Sequence, residues 1–279
     1  MDRIQRALDL AKSQRLHHAA QAASIPAQNP DEARAERLAL NREFSLSTIE
    51  SVSRLTLDWR ALSEKRVLSP RDTHHHAGAA YRMLRTQILQ RARTHGLSTL
   101  GVISAVNGEG KTLTAINLAL NLAAEPNQAV MLVDLDLRRP AVAQTLGLSA
   151  SRGLEEWFGG DIAAREVCYG IEGIDRLYVL PTLSPVMGSS EVLAGIGTRK
   201  LIEELKARDP GRLLVVDLPP VLLSDDALTV APLLDGVVLV VNERRTRRED
   251  VSRVIELLAN TKVVGTVLNR SSESEKRAY

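Results

Sequence analysis

Six short runs rich in Val, Ile and Leu recur between helical segments from Ala79 onward: "TLGVISA", "AVMLVDL", "RLYVLP", "RLLVVDL", "GVVLVVN" and "KVVGTVLN". They lack the apolar-polar alternation of a strand wetted on one face, so each is expected to be covered on both sides. A parallel sheet between two helix layers supplies that cover. The expected fold is therefore α/β, a doubly wound, mainly parallel sheet over residues 78–270. A helical, partly flexible N-terminal extension and linker is expected over 1–77 and a flexible C-terminal tail over 271–279.

The first 77 residues differ in texture. Ile4, Leu8 and Ala11 recur at helical spacing among charges, "AASIPAQNPDEA" is rich in breakers, and a further helix is expected from Asp31 to about Arg42. In "TIESVSRLTLDWRALSEKRVL" the positions Ile49, Val52, Leu55, Trp59 and Leu62 are compatible with one helical face, either docking a partner or packing on the chain's own domain. "SPRDTHHHAGA" reads as a loop; adjacent side chains such as His74 to His76 do not converge on one ion without help, so it is taken as a solvated linker. "AYRMLRTQILQRA" is helical in composition. A net charge of +2 and 3% aromatic residues leave little for nucleic acid, and none is expected as a partner. Cys168 is the only cysteine, which excludes an intrachain disulfide and a cysteine metal cage and fits a reducing cytoplasm. No apolar stretch approaches the roughly 20 residues that cross a bilayer, so a membrane role is expected to come through a partner.

The stretch "SAVNGEGKTLTAINLAL", Ser104 to Leu120, lies where the first of the six runs turns into a helix. Glycines 108 and 110 lack a β-carbon, which lets consecutive amides curl around a phosphate at the positive end of that helix. Asn107, Gly108, Glu109, Gly110, Lys111, Thr112 and Leu113 are the residues expected around a nucleoside triphosphate. Lys111 is placed to reach its β- and γ-phosphates, and the Thr112 hydroxyl to meet magnesium. The usual G-x-x-x-x-G-K-[ST] pattern has its first glycine replaced by Ala105. Support comes from carboxylates at other strand ends: Asp134 and Asp136 in "VMLVDLDLRRP", and Asp217 in "LLVVDLPP". Carboxyl ends of parallel strands line the crevice where such folds bind ligands.

Taken together, "NGEGKT", "VMLVDLDLRRP" and "VVDLPPVLLSDDAL" resemble the cytoplasmic domain of bacterial tyrosine kinases, which belong with the ParA/MinD-type deviant P-loop ATPases and regulate polysaccharide chain length and export. The resemblance runs from about Ala79 to Arg270 and includes "YRMLRTQI", "DGVVLVV" and "GTVLN". ParA/MinD proteins proper carry a lysine directly after the first glycine position, where this chain has Val106. That favours the kinase branch. The resemblance implies ATP and Mg2+ as cofactors, with Lys111, Asp134, Asp136 and Asp217 as the catalytic set. Thr112, Asp134 and Asp217 are the implied metal contacts, and Asp134 is the preferred acceptor of the incoming proton. Arg138 and Arg139 would add positive charge beside the nucleotide, and Asn269 would meet the adenine edge.

Two features depart from the family pattern. The C-terminus carries one tyrosine, Tyr279, in place of a tyrosine cluster, and is the single candidate phosphoacceptor. The oligomerisation motif E-x-x-R-x-x-R keeps Arg82 and Arg85 but has Ala79 for the glutamate, which removes one half of an inter-subunit ion pair. The expected function is an ATP-dependent protein-tyrosine autokinase regulating exopolysaccharide polymerisation or export. It would be cytoplasmic, recruited to the inner face of the membrane by a separate transmembrane co-polymerase, with a homo-oligomer compatible with the pattern. A regulatory ATPase that phosphorylates nothing and a ParA/MinD-like positioning ATPase are the alternatives. "NERRTRRED", Asn242 to Asp250, is read either as a solvated surface or as arginines that meet phosphate or an acidic partner.

Overall fold

In the computed structural model, residues 52–70, 76–160, 162–207 and 211–271 are described. They all belong to one compact unit. Expectations placed on residues 1–51, on His74 and His75, and on Tyr279 lie outside the described residues.

Eight strands form one sheet: β1 (Arg54–Leu55), β2 (Thr99–Ser104), β3 (Ala129–Asp134), β4 (Tyr169–Ile171), β5 (Ile174–Leu180), β6 (Arg212–Asp217), β7 (Gly236–Asn242) and β8 (Val263–Asn269). Their order is β1-β4-β5-β3-β6-β2-β7-β8. Every pairing is parallel except the β4/β5 hairpin. The six runs read from sequence are β2, β3, β5, β6, β7 and β8. The short β1 and β4 were not foreseen, because two or three residues carry no readable periodicity.

Alternate residues of the central strands feed two separate cores. Met131 and Val133 of β3 and Leu214 and Val216 of β6 pack on one face. Val130 and Leu132, with Leu213 and Val215, pack on the other. This is the two-sided burial that unalternated apolar runs imply. One layer contains α4 (Ile196–Ala207), which buries Leu201, Ile202 and Leu205, and α5 (Arg248–Leu257), which buries Val254. The opposite layer is built on α2 (His76–His95) and α3 (Lys111–Ala123). Helix α3 is apolar nearly all round and is buried along almost its whole length, as a helix inside a core must be. The edge strand β8 departs from the expectation of full cover: Thr266 and Leu268 are exposed.

The segment expected as one long helical face is instead β1 followed by α1 (Trp59–Glu64). Asp58 ends the extended stretch by accepting the Arg60 and Ala61 amides at 3.0 and 3.2 Å, an N-cap that interrupts the helical spacing. Leu57, Leu62 and Val67 are then buried against the α3 layer. Asn117 of α3 secures the connection by accepting the Leu68 amide at 2.8 Å and donating to the Arg66 carbonyl at 3.1 Å. The packed body thus begins N-terminal to the regular pattern that opens at Ala79. Helix α2 also starts earlier than expected, at His76, within the stretch read as a loop.

At the end of the sheet opposite the strand C-termini, Asp235 ties β2 to β7. Its carboxylate accepts the Ser98 and Thr99 amides at 2.9 Å each, the Ser98 hydroxyl at 2.8 Å and Lys206 Nζ at 2.7 Å. Burial alone would raise its pKa, but these donors outweigh burial and hold the carboxyl below the usual range. A depressed carboxyl contributes stability above its unfolded pKa of about 4 and loses it as pH falls. Replacing Asp235 with Asn is expected to cost about 1–3 kcal/mol at pH 7 in a denaturant titration. The difference from wild type should shrink as the titration is repeated between pH 5 and pH 3.

Candidate active site

Sheet register decides which side chains meet. Asp134, the last residue of β3, is the register partner of Asp217, the last residue of β6, and Asp217 is also paired across to Val102 of β2. The loop that leaves β2 therefore emerges beside both carboxylates. Residues 105–110 carry the chain from β2 into α3, whose first residues are Lys111 and Thr112.

Lys111 Nζ lies 2.6 Å from Asp136 Oδ2 and 3.5 Å from Asp217 Oδ1. The Thr112 hydroxyl donates to Asp217 Oδ2 at 2.6 Å. Asp217 is fully buried, and only about 10% of the Lys111 side chain is exposed. Burial works against charge on Lys111, yet Asp217, Asp136 and the more remote charge of Asp134 hold its pKa above the ordinary lysine value. Burial raises the Asp217 carboxyl, opposed by Lys111 and Thr112. Burial and the neighbouring Asp217 charge push Asp134 well above the usual carboxylate range. One ammonium thus faces three buried carboxylates. The surplus negative charge calls for protons or a second cation.

The expected residues divide by position. Lys111, Thr112, Asp136 and Asp217 form one contact group. Asp134 lies behind it with both oxygens engaged by backbone: Oδ1 accepts the Asp136 amide at 3.2 Å, and Oδ2 the Ala141 and Val142 amides at 3.1 and 3.0 Å. It organises the 134–142 turn, and Asp136 is the carboxylate on the ammonium. Arg138 is directed elsewhere: Nε and Nη2 each donate to Asp226 at 3.0 Å, and Nη2 also to the Ser190 hydroxyl at 2.9 Å. A fully buried Asp226 demands such a cation, and despite burial the Arg138, Ser190 and Ser189 donors hold its pKa below the usual range. Arg139 is exposed. Arg85 pairs within the chain, with Glu125 at the end of α3, at 2.8 Å.

The loop glycines have a second reason to be glycines. Gly108 and Gly110 adopt φ of +79° and +96°, where other residues are strained. A β-carbon on Gly108 would lie 2.7 Å from Nη1 of Arg245, and one on Gly110 would overlap Nδ2 of Asn269. Asn269 donates that amide to the Glu109 carbonyl at 2.8 Å, so it braces the loop from β8. Glu109, expected only as a loop member, is fully buried: Oε2 accepts the Val106 amide at 3.0 Å, and Oε1 accepts the Thr246 hydroxyl. Thr246 was not singled out from sequence, since its partner lies 137 residues away and no spacing rule spans that distance. Its neighbours Arg244 and Arg245 were visible only as part of a charged run.

A strand-to-helix loop carrying Lys and Thr beside strand-end carboxylates is the arrangement of a P-loop nucleotide site. The profile of the ParA family, described as NUBPL iron-transfer P-loop NTPase, matches residues 97–277. The chain belongs to the ParA family of P-loop NTPases. It is 30% identical over 229 residues to the succinoglycan biosynthesis transport protein ExoP of Rhizobium meliloti (strain 1021), covering 80% of this chain but only 28% of ExoP. It is 29% identical over 201 residues to the tyrosine-protein kinase YwqD of Bacillus subtilis (strain 168), covering 71% of this chain and 83% of YwqD. The crystal structure of the VpsO kinase domain superposes with a TM-score of 0.63 at 28% identity, over 71% of this chain and 96% of that domain. These relatives place the ParA-family chain with the bacterial tyrosine kinases, as its motifs implied.

The raised carboxyls make this carboxylate cluster a local destabiliser. With folded pKa values above the unfolded ones, the folded state binds more protons, so stability falls as pH rises through the raised values. Asp217→Asn removes one of the crowded charges and is expected to raise the melting midpoint of the nucleotide-free protein at pH 8 by a few degrees, roughly 1 kcal/mol. Scanning calorimetry with and without Mg-ATP checks this, because the variant should also lose the magnesium-dependent stabilisation by nucleotide.

Proposed function

We propose that this protein is an ATP-dependent protein-tyrosine autokinase that regulates exopolysaccharide polymerisation or export. The observation that carries the reading is the contact group in which Lys111 and Thr112 of the P-loop meet Asp136 and Asp217 from two other strand ends. Phosphoryl transfer is catalysed mainly by positioning and charge neutralisation, and this group is built for both.

The donor set fits magnesium. Hydroxyl and carboxylate oxygens are the ligands a hard cation takes, and among the described residues there is no cage of three or more His, Cys, Asp or Glu. Magnesium held jointly with substrate phosphates needs no such cage. Thr112 and Asp217 are the residues that would hold it, with Asp136 and Asp134 adding negative charge. When bound, the metal neutralises charge on the transferring phosphoryl group.

Each side chain then has a task. Lys111 exchanges its pairing with Asp136 for the β- and γ-phosphates, and the amides of 107–112 close around the same oxygens. Asp136, released from the ammonium, is the better placed carboxylate to accept the phenolic proton of the incoming tyrosine. Asp134 keeps the 134–142 turn in shape by accepting the Asp136, Ala141 and Val142 amides. Tyr279 is the proposed acceptor. No helix among the described residues is long and apolar enough to cross a membrane. A separate transmembrane co-polymerase is the proposed partner, recruiting the chain to the inner face of the membrane, a reading supported by the polysaccharide transport protein ExoP among its relatives.

A second reading, a regulatory ATPase acting as a nucleotide switch on the same machine, is favoured by one observation. Arg85, expected to pair between subunits, is already neutralised by Glu125 of its own chain. Mass spectrometry of Tyr279 after incubation with Mg-ATP and partner separates the two. Phosphate on the wild type and its loss to background in Lys111→Ala is the expected result. Nucleotide hydrolysis without phosphotyrosine in either protein would assign the chain to the switch reading.

A further inference from the structure

The loop that follows β7 is built around Asn242. Its amide donates to the Thr246 hydroxyl oxygen at 2.8 Å, its carbonyl accepts the amides of Arg245 and Thr246 at 3.0 and 2.9 Å, and its side-chain oxygen accepts the Arg244 amide at 3.1 Å. Such a closed set of bonds leaves the loop little freedom. Thr246 then donates its own hydroxyl in a hydrogen bond to the buried carboxylate of Glu109, inside the P-loop, while Asn269 grips the Glu109 carbonyl from β8. The two loops are thus joined at a side chain that the P-loop motif itself does not require.

The consequence of that junction is the position of Arg245. Its guanidinium lies over Gly108, in space that any larger residue would fill. It is exposed, and no hydrogen bond or ion pair to its side chain occurs among the described residues. Arg245 also lines an opening of about 710 Å³, together with Gly110 and Leu113 and the basic residues Lys65, Arg66, Arg244 and Arg270. Its single lining acid is Glu64. An exposed guanidinium lying over a P-loop glycine, with no ion pair among the described residues, matches a phosphate oxygen pair better than water or an apolar surface.

We propose that Arg245 is a nucleotide-contacting residue that closes the outer side of the triphosphate cradle, and that Thr246, through Glu109, is the residue that positions it. The proposal rests on the reading of the P-loop as an ATP site. Lys111 grips the phosphates from the carboxylate side, where its charge is already shared with Asp136 and Asp217. Arg245 supplies an unshared charge from the other side, delivered within the same chain.

The test uses the full chain and displacement of a fluorescent adenine nucleotide by Mg-ATP or by adenosine. Arg245→Ala is expected to weaken Mg-ATP about tenfold, the scale of one charge-assisted hydrogen bond, and to change adenosine by less than about twofold. Arg245→Lys, which keeps the charge and loses the planar fork, should recover part of the loss. Thr246→Val should weaken Mg-ATP about threefold or more while Thr246→Ser restores it, and the Arg245→Ala/Thr246→Val double variant should be no weaker than Arg245→Ala alone. Equal Mg-ATP affinity in wild type and Arg245→Ala overturns the proposal and leaves the ATP site standing. A loss shared equally by adenosine overturns it as collapse of the pocket, and additive single effects overturn the positioning role of Thr246. Failure of the wild type itself to bind Mg-ATP removes both the proposal and the reading beneath it.

Discussion

One ammonium among three buried carboxylates is the constraint around which the rest is arranged. Desolvated carboxylates repel one another strongly in a low-dielectric interior, and Lys111 alone does not neutralise Asp134, Asp136 and Asp217. Such a cluster persists only where the surrounding fold over-determines it. Here that surrounding is the centre of a parallel sheet with both faces packed, where β3, β6 and β2 hold their ends in fixed register. Part of the stability of two hydrophobic cores is thereby committed to holding together a site whose carboxylates outnumber its ammonium.

The P-loop shows a related economy. A loop that wraps phosphate must present bare amides, which deprives it of side chains with which to hold itself in place. Its support comes from outside: Asn269 on β8 and Thr246 after β7 grip Glu109, and glycine at 108 and 110 leaves room for Arg245 and Asn269 to approach. Pre-organisation of this kind lowers the cost of ordering the loop when ligand binds. It also explains why a chain with Ala105 in place of the first loop glycine still carries the two later ones.

On the opposite layer, the segment from β1 to Leu68 extends the sheet beyond the regular pattern. It adds Arg54–Leu55 beside β4, buries Leu62 and Val67, and brings Lys65 and Arg66 to the opening next to Gly110. The segment from β1 to Leu68 is therefore tied to the helix that follows the P-loop through Asn117 of α3.

Much of this was legible in the sequence because it rests on local pattern. Unalternated Val, Ile and Leu runs require two-sided burial, and a Gly-x-Gly-Lys-Thr loop after one run and a terminal Asp on two others point to one end of the sheet; together these determined the sheet and the strand ends near which Lys111, Thr112, Asp136 and Asp217 meet. Tertiary structure alone decided the division of labour. Whether Asp134 or Asp136 faces Lys111, that Arg138 turns to Asp226 and Arg85 to Glu125, and that Arg245 overlies Gly108 depend on side chains separated by tens to more than a hundred residues. Periodicity reports which face of an element is buried. It carries no information on which polar groups will meet there, because that choice is made by register and by the desolvation cost of leaving a buried charge without its partner.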